Sequence, residues 1–251
     1  MRKISVVIIT FNEENRVRQT LESVKWCDEI IIVDSCSTDN TVNICKEYSN
    51  CTVYNQPFLG YGQQKRFAVE KATNDWVLSI DADEVLTDAL CDEIRSILSS
   101  SSIVHAGFYV PITLVFLNRT FHYGAENKCL HLRFFDKNTG NFDTQNLHET
   151  VELHGTTSKL QNEILHCSYA DIHHYIQKLN SYTSIYAEDA VKRGKTVGSV
   201  KSILRFLFEF IRQYFIKCNF LNGYPGLVWS IFSAYYVFVK IVKIGEKNLY
   251  K

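Results

Sequence analysis

The stretch WVLSIDADEVL, Trp76 to Leu86, drives an apolar run straight into Asp81, Asp83 and Glu84 with only Ala82 interrupting them. In an extended segment alternate residues point the same way, so Asp81 and Asp83 face one pocket while the small Ala82 keeps the backbone close. Carboxylates crowded in this way repel each other and resist ionisation unless a cation or polar ligand groups lie between them. A hard, oxygen-seeking divalent ion, Mg or Mn, suits carboxylates and diphosphate oxygens together. A single Asp-x-Asp also reads as a helix N-cap in a solvated loop, and Glu84 and Asp88 fit that simpler role. Two further clusters shift the balance: Thr10, Asn12 and Glu13 follow one β-branched run, and Asp34, Ser35 and Asp39 follow another. Three polar strand ends predict a converging acidic site.

The elements that must position these groups follow from periodicity. ISVVIIT (4–10) and EIIIVD (29–34) are continuous β-branched runs, as expected of strands covered on both faces. Between them Val17, Leu21 and Val24 fall on one face of a helix. STDNTVNICKEY has a helix-capping entry and CTVYNQ returns as a strand; a helix in GQQKRFAVEKAT precedes strand WVLSI, and Thr87 caps a helix in TDALCDEIRSIL. This alternation predicts an α/β fold with a mostly parallel, Rossmann-like sheet and helices on both faces. Ligands of such sheets sit beyond the carboxyl ends of the strands, where the acids are. No Gly-x-Gly-x-x-Gly follows the first strand and no Gly-x-x-x-x-Gly-Lys occurs, so dinucleotide and P-loop sites lack their glycine cradle; a nucleotide held by acids and a metal remains. After the serines at 99–102, AGFYVPITLVF, CLHLRFFD and LHETVEL read as strands of a smaller mixed extension. From 171 onward the signal is helical. The expected organisation is a catalytic domain over 1–170 and a helical, basic, aromatic extension over 171–251.

A chain of 251 residues, 46% hydrophobic with three prolines, can bury a sizeable core. Its eight cysteines form no Cys-x-x-Cys pair, which disfavours structural zinc and a disulfide framework. The N-terminus MRKISVVIIT reads as a strand and not a signal peptide, which predicts a cytoplasmic protein. A formal net charge of zero hides an asymmetry: residues 1–191 hold 16 Lys/Arg and 25 Asp/Glu, residues 192–251 hold 11 Lys/Arg and two acids. A basic, aromatic tail behind an acidic domain suggests an anionic surface as partner. The apolar run from Leu227 to Val242 is about 16 residues, short of the roughly 20 that cross a bilayer core. Lys240, Lys243 and Lys247 recur at helical spacing beside Trp229, Phe232, Tyr235, Tyr236 and Phe238, and Arg205, Arg212 and Lys217 add charge. This pattern suits peripheral attachment to the inner face of the cytoplasmic membrane. A helical subdomain packed on the core, or a homodimer interface, is the alternative. Nucleic acid is disfavoured as partner by the acidic site and the apolar tail.

SVVIITFNEE, DEIIIVDSCSTDNTV, GYGQQKRFAVEKATNDWVLSIDADE, LRFF and LHETVEL resemble, in order and spacing, glycosyltransferase family 2, nearest to lipopolysaccharide core glucosyltransferases. The resemblance covers nearly the whole chain. It implies a GT-A fold that binds a nucleotide-sugar and inverts the anomeric centre in one displacement. By the same resemblance, Thr10, Phe11, Asn12, Glu13 and Asp34 hold the base and ribose, Asp81 with Ala82 lies near the ribose and metal, Asp83 binds the metal bridging the diphosphate, and Lys65 approaches the nucleotide. Where relatives often read Asp-Ser-Gly-Ser-Thr-Asp-Gly-Thr, this chain has DSCSTDNT. Asn40 tolerates a left-handed backbone nearly as well as Gly; Cys36 does so only at a cost.

Displacement at the anomeric carbon needs the leaving diphosphate neutralised and the acceptor hydroxyl deprotonated. In the resembling family a Glu or Asp near LHET serves as base, which points to Glu149, with His148 facing the other way along the strand. His154, His166, His173 and His174 are scattered, although His166 could reach the metal, and Arg133 in HLRFF could line the acceptor pocket. The expected reaction moves a hexose, glucose first among candidates, from a UDP-sugar to a lipopolysaccharide-core or other lipid-linked glycan. Transfer to a polyprenyl phosphate or capsular acceptor, or a non-catalytic nucleotide-binding membrane scaffold, stands as the alternative.

Overall fold

The β-branched runs form strands buried on both faces. A computed structural model describes residues 2–143, 149–169, 171–196 and 199–249. Two compact units divide the chain: residues 1–113 with 128–167, and residues 114–127 with 168–251.

In the first unit β1 (Ile4–Thr10), α1 (Val17–Val24), β2 (Glu29–Asp34), α2 (Thr41–Lys46), β3 (Cys51–Asn55), α3 (Tyr61–Lys71), β4 (Trp76–Asp81), β5 (Glu84–Leu86) and α4 (Asp88–Ser99) follow in order. Then come β6 (Gly107–Phe116), whose end passes into the second unit, and β7 (Arg119–Thr120) within that unit. The first unit resumes with β8 (Cys129–Asp136), β9 (Gly140–Phe142), β10 (Val151–Leu153), β11 (Thr157–Lys159) and β12 (Ile164–His166).

Its main sheet runs β3-β2-β1-β4-β8-β6-β12-β5, with β11 also on β6. β3, β2, β1 and β4 are mutually parallel and β8 is antiparallel to both β4 and β6, so the mixed part begins where the sequence alternation ends. Among the described residues β10 pairs with β9 as a separate two-stranded ribbon and not with the main sheet.

Alternation along the central strands feeds two cores. Val6, Ile8, Ile30, Ile32, Leu78 and Ile80 pack with the α1 residues Val17, Leu21 and Val24 and with Leu90, Ile94 and Leu98 of α4. Val7, Ile31, Val33 and Val77, one residue out of phase, pack with Ala68 and Val69 of α3. Thr87 caps α4, its hydroxyl accepting from Leu90 N at 3.3 Å. With both faces sealed, the strands' carboxyl ends are where polar side chains gather.

The second unit holds a hairpin between β7 and Val115–Phe116, then α5 (Ile172–Lys192), α6 (Ser199–Ile211), a π-turn (Arg212–Ile216), a 3-10 turn (Asn219–Asn222) and α7 (Tyr224–Leu249). Its core joins Leu114, Phe116, Phe121, Tyr175, Leu179 and Trp229. The apolar run seen in the sequence lies inside a 26-residue helix that, by length and composition, is long and apolar enough to cross a bilayer. Much of the pattern read along it has partners within the unit. Trp229 is buried, Phe232 stacks on Tyr175 with centroids 5.0 Å apart, Phe238 meets Phe206, and of the five rings only Tyr235 is exposed. Lys243 Nζ donates to Asn180 O, Asn180 Oδ1, Thr183 Oγ1 and Ser184 Oγ within 2.7 to 2.9 Å. Lys247 pairs with Glu188 at 3.3 Å, and Lys240 lies over the Tyr186 and Tyr236 rings. The helix spends its lysines on α5.

Candidate active site

Register brings the strand ends together. Thr10 lies opposite Asp34 across β1 and β2, and Ile9 lies opposite Asp81 across β1 and β4. Neighbouring strands are about 4.8 Å apart, so the three polar clusters sit on the consecutive strand ends of β2, β1 and β4. Asp34 is buried and fully engaged: its carboxylate accepts from Thr10 Oγ1 at 2.9 Å, Ser37 N at 2.7 Å and Ser37 Oγ at 2.5 Å. Asn12, left-handed at φ 53°, donates its N–H to Ser37 Oγ at 2.8 Å and accepts from Thr38 N at 2.9 Å. Glu13 N donates to Thr41 Oγ1, and Glu14 N to Asp39. These bonds lace the loop after β1 to the loop after β2. Phe11 between them is 57% exposed and offers an open ring face.

The left-handed residue of the second loop is Cys36, at φ 65°, whereas Asn40 sits at φ −82° as the residue before α2. Of the two positions at which the resembling motif has Gly, position 36 is left-handed in this chain, which bears the cost of a Cβ there.

Deeper in the site lies a chain of charges. Lys65, almost fully buried on α3, places Nζ 2.9 Å from Asp81 Oδ1 and 2.8 Å from Glu149 Oε1. Arg133 Nη2, from β8, is 3.1 Å from Asp81 Oδ2 and 3.2 Å from Glu84 Oε1. Glu84, buried at 1% exposure, also accepts from Asp81 N at 2.9 Å. Asp83 stands between His166 Nε2 at 3.3 Å and Arg16 Nη1 at 3.5 Å, and Arg16 pairs in turn with Glu13 at 2.6 Å. Ala82 is buried, and its carbonyl accepts from Thr20 Oγ1 at 2.8 Å.

These neighbours set the protonation of the cluster. Burial pushes the Asp81 carboxyl up, but the charges of Lys65 and Arg133 outweigh it and hold the group well below the usual carboxylate range. Asp83 is likewise held down, burial being outweighed by the His166 hydrogen bond. Glu84 is pushed up by burial, with Arg133 pulling against it. His166 is raised despite burial because it faces Asp83.

Cations of the chain thus supply compensation that the sequence reading gave to a metal. A divalent ion still fits. The Asp83 carboxylate, now hydrogen-bonded to His166 at 3.3 Å, is an oxygen donor of the kind that Mg and Mn take. No three His, Cys, Asp or Glu side chains among the described residues form a metal cluster. An ion here would therefore be held by one or two side chains and completed by phosphate oxygens, the usual arrangement for Mg.

Glu149 edges a cavity of about 200 Å³ whose lining includes Lys65, Tyr109, His131, Arg133 and Thr150. Lys65, Asp81 and Glu149 come together as one hydrogen-bonded group, and Thr10 joins Asp34. His148 lies outside the described residues. Sequence reasoning saw Arg133 only as a pocket liner, gave Glu84 a surface role and passed over Arg16. Arg16 had a signal: it stands three residues after Glu13 at a helix entrance, the spacing at which side chains meet.

The model for glycosyl transferase family 2 matches residues 5–153. An uncharacterized glycosyltransferase of Rickettsia typhi is 34% identical over 262 residues, covering 99% of this chain and 89% of that protein. The lipopolysaccharide core biosynthesis glycosyltransferase LpsC of Rhizobium meliloti is 30% identical, covering 99% and 94%. Among solved structures, Staphylococcus aureus TarS 1-349 in complex with UDP-GlcNAc aligns with TM-score 0.51 and 14% identity over 99% of this chain and 92% of its own. The mannosyltransferase PcManGT of Pyrobaculum calidifontis, with GDP-Man and Mn2+, aligns with TM-score 0.52 and 14% identity over 97% and 87%. The fold is the GT-A fold of these proteins.

Proposed function

The chain belongs to glycosyl transferase family 2 and is a glycosyltransferase, and on that premise we propose that it moves a hexose, glucose first among candidates, from a UDP-sugar to a lipopolysaccharide-core or other lipid-linked glycan with inversion at the anomeric carbon. The observation that carries this reading is the register placing the Thr10–Asp34 pair and Asp81 on adjacent strand ends, with Lys65 linking Asp81 to Glu149. Likeness to LpsC along the whole chain supports the acceptor class. The nucleotide-sugars held by the two solved neighbours, one of them with Mn2+, support the donor class and a divalent ion.

Thr10, Phe11, Asn12, Glu13 and Asp34 receive the base and ribose. Asp34 acts from within, since its oxygens are already committed to Thr10 and Ser37; Asn12 and Phe11 present the outer surface. Ala82, with its short side chain, lets the donor approach the backbone between Asp81 and Asp83. Asp83, with His166 and with Asp81 beside it, would hold the divalent ion, which when bound supplies Lewis-acid stabilisation of the leaving diphosphate.

Glu149 takes the proton from the acceptor hydroxyl as that oxygen attacks the anomeric carbon. Lys65 fixes the direction of the Glu149 carboxylate and sets positive charge between base and donor site. The cavity beside Glu149, with Tyr109, His131 and Arg133 in its wall, receives the acceptor sugar. The enzyme works in the cytoplasm, peripherally attached to the inner face of the membrane through residues 171–251, which form a helical extension to the catalytic domain of 1–170.

A thermal-shift screen of UDP-sugars and GDP-mannose, with and without Mg or Mn, tests the donor. A ligand that binds only the folded chain raises Tm by mass action. A UDP-sugar that shifts Tm more strongly with metal than without is the expected result. A screen with no shift for any UDP-sugar would sink the assignment.

A further inference from the structure

A soluble protein's surface helix turns polar residues outward. α6 does the reverse. Ile203, Leu204, Leu207, Phe208 and Ile211 are each half or more exposed, while Ser202 is buried and Phe206 lies against Phe238. Beyond Ile211 the backbone widens into the π-turn, closed by Lys217 N donating to Arg212 O at 2.8 Å, five residues back. Phe215 and Ile216 follow in that turn, 56% and 65% exposed, so the apolar stripe continues at a spacing of four or five residues through both elements.

A contiguous apolar face of this size marks a partner, and charge identifies it. Residues 192–217 carry seven Lys/Arg and one acid, Glu209. Arg205 and Lys217 are exposed along the stripe and form no ion pair among the described residues. A second copy of this chain would bring the same positive charge to the face and be repelled. An anionic lipid surface offers the complementary sign together with an apolar interior. The α7 lysines are not free for that role, since Lys240, Lys243 and Lys247 are engaged with α5 and with rings.

We propose that α6 and its π-turn are the membrane-docking surface, lying in the plane of an anionic leaflet with Leu207, Phe208, Ile211 and Phe215 inserted and Arg205 and Lys217 at the headgroups. The proposal rests on the membrane part of the function above and names the element that carries it. Insertion of such a face reaches about 5–10 Å, to the boundary between headgroups and acyl chains.

The test is flotation of the full-length protein with vesicles of phosphatidylethanolamine and phosphatidylglycerol, and with phosphatidylcholine alone. Wild type is expected to float with the anionic vesicles, less at high salt and less with phosphatidylcholine. The double variant Leu207→Glu/Phe208→Glu removes two large exposed apolar groups and should cut partition at least about tenfold. Arg205→Gln/Lys217→Gln leaves the apolar stripe intact and should cut it about tenfold on anionic vesicles alone. Unchanged flotation of both variants overturns the proposal. So does a wild-type dimer, seen by light scattering, that Leu207→Glu/Phe208→Glu splits without altering partition. The UDP-sugar Tm shift, measured on the same samples, separates the two readings. Flotation that is insensitive to both variants while the shift persists removes the docking surface only; variant-sensitive flotation without any shift removes the donor assignment only.

Discussion

The Lys65 ammonium stands 2.8 Å from Glu149 Oε1 and 2.9 Å from Asp81 Oδ1, so a single buried cation joins the proposed base to the acidic strand end. Lys65→Met should therefore act on turnover more than on binding. Without the ammonium Glu149 loses both its counter-charge and its orientation, while Asp81 keeps only Arg133. A kcat loss of about a hundredfold, with KM for the acceptor changed only a few-fold, is expected from misplacing a catalytic group. Steady-state kinetics on a variant with unchanged circular dichroism decides the matter; wild-type kcat would remove Lys65 from this role.

Arg133 and Glu84 form the buried end of the same network. Arg133→Met leaves Glu84, 1% exposed, as an uncompensated charge in the core. Breaking one side of a buried pair costs about 3–5 kcal/mol. Adding Glu84→Gln should return part of that loss, because an amide needs no counterion. Urea unfolding of the two single variants and the double variant gives the coupling; strictly additive losses would show that the pair is not the stabilising unit.

The loop after β2 carries strain at one position. Cys36 holds φ 65°, which costs a residue with a Cβ about 1–2 kcal/mol. Gly relieves that strain but loosens the unfolded chain, a penalty of about 0.4–1 kcal/mol. Cys36→Gly should thus raise stability slightly, by about 0.5 kcal/mol on the same two principles. The exposed Cys36 should also be the first thiol labelled by maleimide in the folded protein. Cys27, Cys45 and Cys51 should be late, since burial pushes their thiols up to about 12. Mass spectrometry of peptides over a labelling time course checks the order.

Asp39 links stability to pH. Burial pushes its carboxyl up, but hydrogen bonds from the Thr41 hydroxyl, Thr41 N–H and Glu14 N–H outweigh this, and the folded value lies below the ordinary 3.8. A depressed folded value stabilises above the unfolded pKa, and the contribution is lost as pH falls through the folded one. Asp39→Asn exchanges charge-assisted acceptors for a neutral amide on a half-exposed loop. It should cost about 1 kcal/mol near neutrality and progressively less below pH 3.8. Equal losses at both pH values would rule out the charge.

Much of this site was legible because strand ends announce themselves. Continuous Val and Ile runs ending in Thr10, Asp34 and Asp81 place polar groups at one rim whatever the details of packing. The short strands β5, β11 and β12 were not legible, since three residues show no period. The countercharges were hidden for a related reason. Arg133 reaches Asp81 across a sheet order that only tertiary pairing sets, 52 positions away in sequence. Glu84 next to Asp83 reads as a surface acid until β5 is seen to be buried.

The tail shows a real pattern whose surface the sequence left open between a membrane and a packed helix. Lys240, Lys243 and Lys247 do recur along one face of α7, but that face meets α5, whose Asn180, Thr183 and Ser184 surround the Lys243 ammonium with four oxygen acceptors. Lys243→Met therefore predicts a structural loss. Asn180 is exposed and Ser184 half-buried, so their oxygens turn to water at little loss, whereas the buried Thr183 hydroxyl loses a partner; the expected cost is about 1–2 kcal/mol, read as a fall in urea midpoint. Because no other lysine reaches these groups among the described residues, Lys243→Arg should recover only part: a guanidinium is planar and cannot point its donors at acceptors gathered around one nitrogen. Vesicle flotation of Lys243→Met should match wild type at temperatures where it stays folded. A variant that keeps full stability yet loses flotation would return Lys243 to the membrane and displace the helix-packing account.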